Sequence, residues 1–270
     1  MQTIGILAGS GILPLIIAKD ATKKGFHVTV IAIENLADKS LQEIAHKTYW
    51  INVGRLGKLI NILKKDNISK IILAGKVPKS LLYKTAITPD LRAIKVLFKI
   101  KVRGDNVMLK ALADELMSEG IEIIDTTTFS PELVTPEGLI NSIPAKDEQM
   151  KDIAFGWQIA KEIGRLDIGQ TVVIKSMAVM AVEAIEGTDE AIIRGGTFAG
   201  DGAVVVKISK PQQDMRLDVP AVGLNTLESM IKVNAKVLAI EAGRSIIFQR
   251  EEFVKLADTH GISVVGYKGN

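Results

Sequence analysis

"TIGILAGSGILPLIIAKDATKKGFHVTVIAI", residues 3–33, decides the fold class. Its first run, 3–9, is short, apolar and ends on Gly9. Residues 12–25 have helical length and close on lysines and Gly25, a helix C-terminus signature. Residues 27–33, "HVTVIAI", are β-branched and predict a strand. The alternation continues. "LGKLINILKKDN" (56–67) spaces its apolar residues as a helix does, and "SKIILAG" (69–75) reads as another buried strand. Helices are expected over 89–101 and 106–119, and a strand over "IEIID", 121–125. Strands alternating with helices predict an α/β fold, a parallel sheet with helical crossovers.

The chain has 270 residues, 47% hydrophobic and 24% charged, enough for one large domain or two of about 130 residues. Residues 126–146 carry three of the eight prolines and are the best linker candidate. The expected division is an N-terminal domain over 1–130, a linker over 131–146 and a C-terminal α/β domain over 147–270. In the second half, helices are expected over 147–167, 225–235 and 250–259. Strands are expected over 171–176, 178–185, 203–209, 237–241, 244–248 and 262–267.

The formal net charge of +3 is mildly basic and lacks the clustered basic face of a nucleic-acid binder. The densest basic stretch, "KVLFKIKVR" (95–103), alternates with apolar residues. It reads as a solvated helix face, or more sharply as an amphipathic patch against acidic headgroups or phosphates. The absence of cysteine excludes disulfides, thiolate metal sites and thiol nucleophiles. The start "MQTIGILAGSG" has no signal-peptide pattern, and no apolar run nears the roughly 20 residues that span a bilayer. A cytoplasmic protein is expected, soluble or bound at a membrane surface.

Several stretches could carry chemistry. In "GILAGSGILP" the spacing of Gly5, Gly9 and Gly11 fits the dinucleotide fingerprint poorly. A strand ending in Gly9-Ser10-Gly11 before a helix still offers amides and a hydroxyl to a phosphate, or else makes a tight turn capped by Ser10. "LAGKVPK" (73–79) places Gly75 and Lys76 at the carboxyl end of a strand, where open α/β sheets bind ligands. "RGDNVML" (103–109) offers Asp105 or Asn106 as a helix cap.

The densest polar region is "SMAVMAVEAIEGTDEAIIRGG", 176–196. Glu183, Glu186 and Asp189 surround a glycine turn, with Thr188 a candidate N-cap and Arg194 about a turn later. Three acids there suit Mg²⁺, which prefers oxygen ligands and keeps several waters. Asp201, Lys207, Lys210, Asp214, Arg216 and Asp218 follow closely. "KPQQDMRLDVP" (210–220), read as extended, puts Asp214, Arg216 and Asp218 on one face and Met215, Leu217 and Val219 on the other. Charges in apolar surroundings need partners, and a metal with a polyphosphate would serve both signs. His27, His46 and His260 are scattered, no GxSxG or P-loop is present, and 4% aromatics is thin for a sugar-stacking cleft. Phosphoryl chemistry fits best.

"GILAGSGILP", "LAGKV", "RGDNVML", "DIGQTVVIKSMAVMAVEAIEGTDEAIIR", "VVVKISKPQQDMRLDVPAVGLNT" and "AIEAGRSII" occur in this order. Together they resemble the LpxI-type UDP-2,3-diacylglucosamine pyrophosphatases, from the first strand nearly to the C-terminus. Position 177 is Met where the family pattern has a glycine. The resemblance implies a Mg²⁺-dependent hydrolase of lipid A synthesis, splitting UDP-2,3-diacylglucosamine into UMP and 2,3-diacylglucosamine 1-phosphate (lipid X). It implies a Rossmann-like N-terminal domain, a distinct C-terminal α/β domain with substrate held between them, and a catalytic aspartate matching Asp214 or Asp218.

On this reading Asp218 or Asp214 orients or deprotonates water, and Arg216, Arg194, Lys207 and Lys210 neutralise phosphoryl charge. Gly9, Ser10, Gly11, Gly75, Lys76, Asp105, Thr188 and Gln213 are further substrate contacts, and Glu183, Glu186 and Asp189 the metal ligands. The expected partners are a lipid-linked UDP-sugar, the cytoplasmic face of the inner membrane and a second copy in a homodimer, with no nucleic acid. Two rivals are a nicotinamide-dependent oxidoreductase using Glu34 for a ribose and a non-enzymatic nucleotide-sugar sensor.

Overall fold

The computed structural model describes residues 2–78, 89–99 and 105–269, and of Lys99, Asp105 and Asn106 the backbone alone. The described residues form two compact units. The first is Met1–Pro131 together with Asp214–Asp218; the second is Glu132–Gln213 with Val219–Asn270.

In the first unit the strands are β1 (Thr3–Ala8), β2 (His27–Ile33), β3 (Lys47–Ile51), β4 (Lys70–Ala74) and β5 (Glu122–Ile123). They lie in the order β3-β2-β1-β4-β5, and every pairing is parallel. The helices are α1 (Leu13–Lys23), α2 (Leu41–Ile44), α3 (Leu56–Lys65), α4 (Leu91–Lys99) and α5 (Asp105–Ser118). Strand side chains alternate between two cores, as a sheet covered on both faces requires. Ile4, Ile6, Val28, Val30 and Ile72 pack with Ile17, Ala18 and Ala21 of α1. Ile31, Ile71 and Leu73 pack on the other face with Leu59, Ile60 and Leu63 of α3 and Leu116 of α5. The chain winds outward from β1 to β3, then returns to β4 on the far side of β1. That reversal makes the gap between the ends of β1 and β4 a topological switch point.

In the second unit the main sheet runs β6-β13-β11-β9-β7-β8. Its strands are β6 (Gly138–Leu139), β7 (Thr171–Lys175), β8 (Ala178–Val182), β9 (Val204–Lys207), β11 (Val237–Glu241) and β13 (Ser263–Tyr267). The strands β9, β11 and β13 are parallel, while β7 runs antiparallel to β9 and β8, and β6 antiparallel to β13. A small parallel pair joins β10 (Ala221–Val222) to β12 (Ile246–Ile247). Helix α6 (Asp147–Arg165) covers one face, burying Ile153, Ala160 and Ile163 against Val172, Val204, Val206 and Val237. Helices α7 (Thr188–Ala199), α8 (Leu224–Lys232) and α9 (Arg250–Thr259) cover the other, with Ile192, Leu227, Met230 and Phe253 at its centre.

The α/β class with two α/β units is as expected. The linker expected over 131–146 is instead part of the second unit from Glu132 on, with β6 paired to β13; two local readings also change. The strand expected to reach 185 ends at Val182. The segment 210–218 is a series of turns rather than a strand. The amides of Leu217 and Asp218 both donate to the Asp214 carbonyl, at 2.9 and 3.1 Å, so Asp214, Arg216 and Asp218 do not share a strand face. Local side chain–backbone bonding, offered by Asp214, outcompetes extension there.

Candidate active site

The loops that end β1 and β4 are locked to each other across the switch point of the first unit. The Ser10 and Lys76 amides exchange bonds with each other's carbonyls, both at 2.9 Å, and the Gly9 amide donates to the Ala74 carbonyl at 2.8 Å. The Ser10 hydroxyl also donates to the Lys76 carbonyl, at 2.9 Å. A Cβ on Gly9 would stand 2.6 Å from the Lys76 oxygen, and one on Gly75 2.6 Å from the Ser10 oxygen. The glycines are therefore needed for loop-to-loop contact. This corrects the expectation of free donors, since the amides of Gly9 and Ser10 and the Ser10 hydroxyl are already spent. Lys76 itself is exposed at this edge.

Segment 214–218 leaves the sequence of the second unit and packs on the first. The Thr126 hydroxyl, at the carboxyl edge of the sheet, lies 3.4 Å from both the Leu73 carbonyl of β4 and the Met215 carbonyl. Leu217 packs against the α3/α5 core. Asp214 and Arg216 form a two-pronged ion pair, with Nε 3.0 Å from Oδ1 and Nη2 2.6 Å from Oδ2. Hydrogen bonding from Arg216 holds the Asp214 carboxyl below the usual aspartate range, against the opposing effect of burial. The same bond raises Arg216, which also feels Asp125 and Glu122. Asp218 is exposed at the end of the segment.

The second unit gathers a buried polar band along one sheet edge, where β8, β9 and β11 end and β7 begins. Glu183 and Lys207 are 8% and 6% exposed. Thr188, at the start of α7, links them, receiving a bond from Lys207 Nζ at 2.9 Å and donating to Glu183 Oε1 at 3.2 Å. The Gln170 amide approaches Glu183 Oε2 at 3.4 Å. Beside this, Glu241 accepts the Lys161 ammonium and the Ser209 amide, both at 2.7 Å. The loop into Asp214 is pinned by Gln213 Oε1 on the Lys210 amide, by Arg244 on the Gln213 carbonyl and by Gln212 on the Gly164 carbonyl. Lys210 pairs with Asp167 at 2.6 Å, so its position serves the loop.

The expected metal set is not brought together. Glu183 faces Thr188, Glu186 pairs with Arg194, and Asp189 Oδ1 lies 3.4 Å from the Thr226 hydroxyl. Arg194 also donates to the Val182 carbonyl at 2.8 Å. Among the described residues no group of three or more His, Cys, Asp or Glu side chains could hold a metal ion. The three acids do not fit a shared cage. Gly187, not Thr188, is the residue preceding the helix. Asp105 opens α5 by its backbone, and its side chain lies outside the described residues. Thr126, Lys161, Glu241 and Arg244 were not singled out from the sequence. Glu241 had a signal, an acid closing the apolar run "VLAIE"; Thr126 had none.

The model of the LpxI N-terminal domain matches residues 3–133, and that of the LpxI C-terminal domain matches 136–265. The UDP-2,3-diacylglucosamine pyrophosphatase LpxI of Caulobacter vibrioides is 32% identical over 278 residues, covering 98% of each chain. Solved structures align far less well. Phosphoribosylglycinamide synthetase from Anaerococcus prevotii matches at 13% identity and a TM-score of 0.26, over 71% of this chain and 34% of that one. The biotin carboxylase domain of a thermophilic 2-oxoglutarate carboxylase matches at 14% identity and 0.28, over 64% and 35%. This chain thus spans about a third of those proteins, and the low scores carry no functional argument. With both halves matched and nearly the whole length aligned to one relative, the chain belongs to the LpxI family.

Proposed function

We propose that this protein is a UDP-2,3-diacylglucosamine pyrophosphatase of lipid A biosynthesis. The observation that carries the reading is the 32% identity to the Caulobacter vibrioides enzyme over 98% of both chains. Water attacks one phosphorus of the diphosphate, and the P–O–P bridge breaks with its electron pair on the departing oxygen. Both products are phosphate monoesters, UMP and 2,3-diacylglucosamine 1-phosphate.

The Asp214–Arg216 pair supplies a way to begin. A guanidinium binds a carboxylate and a phosphate with the same forked geometry. The incoming diphosphate takes the Arg216 guanidinium, and Asp214 is left ionised, with Oδ2 released and Oδ1 still accepting the Arg216 amide at 3.0 Å. A carboxylate is ionised at neutral pH without the help of the guanidinium, so Asp214 remains a hydrogen-bond acceptor suited to orienting the attacking water. Asp218, four residues on, is the second candidate for receiving the proton. Lys76, on the same unit as Asp214 and Arg216, is a proposed substrate contact.

Magnesium dependence is part of the proposal. Because Glu183, Glu186 and Asp189 do not fit a shared cage, the ion would come with the diphosphate, since Mg²⁺ is commonly held by one or two carboxylates plus substrate phosphates. Bound there it would neutralise phosphate charge. The substrate's acyl chains imply work at a membrane surface; among the described residues no helix is long and apolar enough to cross one.

The test is UMP release from UDP-2,3-diacylglucosamine, with and without EDTA. Asp214→Ala should lower turnover by about 10²-fold or more, the scale of a lost acid–base group. Full activity in both Asp214→Ala and Asp218→Ala overturns the assignment. Tight substrate binding without UMP release would favour the sensor, and an absorbance change at 340 nm the oxidoreductase.

A further inference from the structure

The first unit carries a cationic concavity remote in sequence from the residues just discussed. It has a volume of about 840 Å³ and lies beside the outer strand β3 and the N-terminal ends of α3 and α4. Arg55, Lys58, Lys65 and Arg92 line it against a single acid, Asp90. That acid is already occupied. Its Oδ2 accepts the Gly57 amide at 2.7 Å and its Oδ1 the Ala93 amide at 2.9 Å, tying down the starts of both helices. Arg92 is held by Glu115 and Glu119. Lys58 and Lys65, two turns apart on α3, are exposed and face the concavity.

Next to it stands a helix with apolar side chains turned outward. Ala93 of α4 is buried, yet Leu91 is 80% and Phe98 86% exposed. Positions 91, 95 and 98 fall on one helical stripe, so the outward face reads Leu91, Lys95, Phe98. Leu91 also lines the concavity. Large apolar side chains at such exposure, next to a groove of lysines, are costly in water and suited to a layer that is apolar below and anionic above.

We propose that this face docks on an anionic phospholipid bilayer, with Leu91 and Phe98 entering the acyl boundary and Lys58, Lys65 and Lys95 meeting headgroup phosphates. The proposal rests on the lipid-substrate reading and names its surface. It extends the expectation that residues 95–103 make the contact, since Lys95 and Phe98 belong to that stretch while Lys58, Lys65 and Leu91 lie outside it. Ile100–Arg103 lie outside the described residues.

The experiment is co-sedimentation of the full chain with phosphatidylcholine vesicles with and without phosphatidylglycerol. Binding is expected only to the anionic vesicles and should weaken with salt. Lys58→Ala with Lys65→Ala should weaken it about fivefold per lysine, and Leu91→Ser with Phe98→Ser by at least about tenfold. Both variants should retain turnover on detergent-dispersed substrate, which shows that they fold. Equal binding to neutral vesicles, no binding, or unchanged binding in both variants overturns the proposal. So does a dimer of the wild type that Leu91→Ser with Phe98→Ser dissolves, because a second copy would then be the occupant. Failure of turnover in the wild type would instead strike the functional reading and leave the vesicle result standing.

Discussion

Met177 has φ of 56° and Ser176 φ of 51°, the left-handed region at both centres of a two-residue hairpin turn. Lys175 pairs with Ala178 across it, the arrangement of a type I′ turn, whose second position favours glycine. The family glycine missing at 177 thus has a backbone reason, and Met177, 58% exposed, has little packing to lose. The turn is held from outside by Asp152, whose two oxygens accept the Ser176 and Met177 amides at 3.1 and 2.6 Å. Met177→Gly should stabilise the protein by about 1 kcal/mol, read as a higher urea midpoint at unchanged slope. A lower midpoint would mean that Met177 makes an interaction worth more than its strain. Position 177 was legible only through the resemblance; the pairing with Asp152, 25 residues away, is tertiary and leaves no local mark.

At the level of elements, the βα alternation of the first half was legible because period-2 and 3.6-residue patterns are strong in buried strands and covering helices. The strand β3, "KTYWI", escaped because at the sheet edge it buries only Ile51 fully, so its pattern is weak. The glycine loops were legible as a site and misread in detail. Sequence shows that Gly9 and Gly75 lack side chains, but not that each loop is the other's hydrogen-bond partner. Gly75→Ala, at φ 87° with a backbone oxygen 2.6 Å from the new Cβ, should cost about 2–4 kcal/mol. Thermal denaturation measures it, and a shift of under a degree would show that the loops separate freely.

Another inter-element tie sets acid sensitivity. Glu119, just beyond α5, pairs with Lys64 of α3 and Arg92 of α4, and these bonds lower its pKa from 4.5 to about 2. A depressed carboxylate contributes stability that is complete above its unfolded value and lost as pH falls through its folded value. The difference in melting temperature between wild type and Glu119→Gln should therefore be constant above about pH 5 and shrink from there toward pH 2. Because Glu119 is not buried, the difference should be small and salt-dependent. A difference that grows on acidification contradicts the tie.

Across the whole molecule, the chain does not partition at one point. Five residues, Asp214–Asp218, belong to the first unit although unit-two sequence precedes and follows them. The sequence could not announce this, since "DMRLD" alternates as a strand would and its partners, Thr126 and the α3/α5 core, lie about 90 residues or more away. What was legible was the concentration of Asp214, Arg216 and Asp218, because charges at that density demand partners wherever they fold. The insertion couples the candidate catalytic residues to the stability of the first unit. Leu217 is the anchor that distinguishes this from a loop resting on a surface. Leu217→Ala removes a half-buried apolar side chain and should cost about 1–2 kcal/mol. In native-state hydrogen exchange the loss should appear as faster exchange in α3 and β4, not in β9 or β11, whose sequence lies closer to residue 217. Turnover should fall alongside it, because Asp214 and Arg216 share the same five-residue segment. If exchange quickens in β9 and β11 alone, the segment belongs to the second unit and the coupling is wrong.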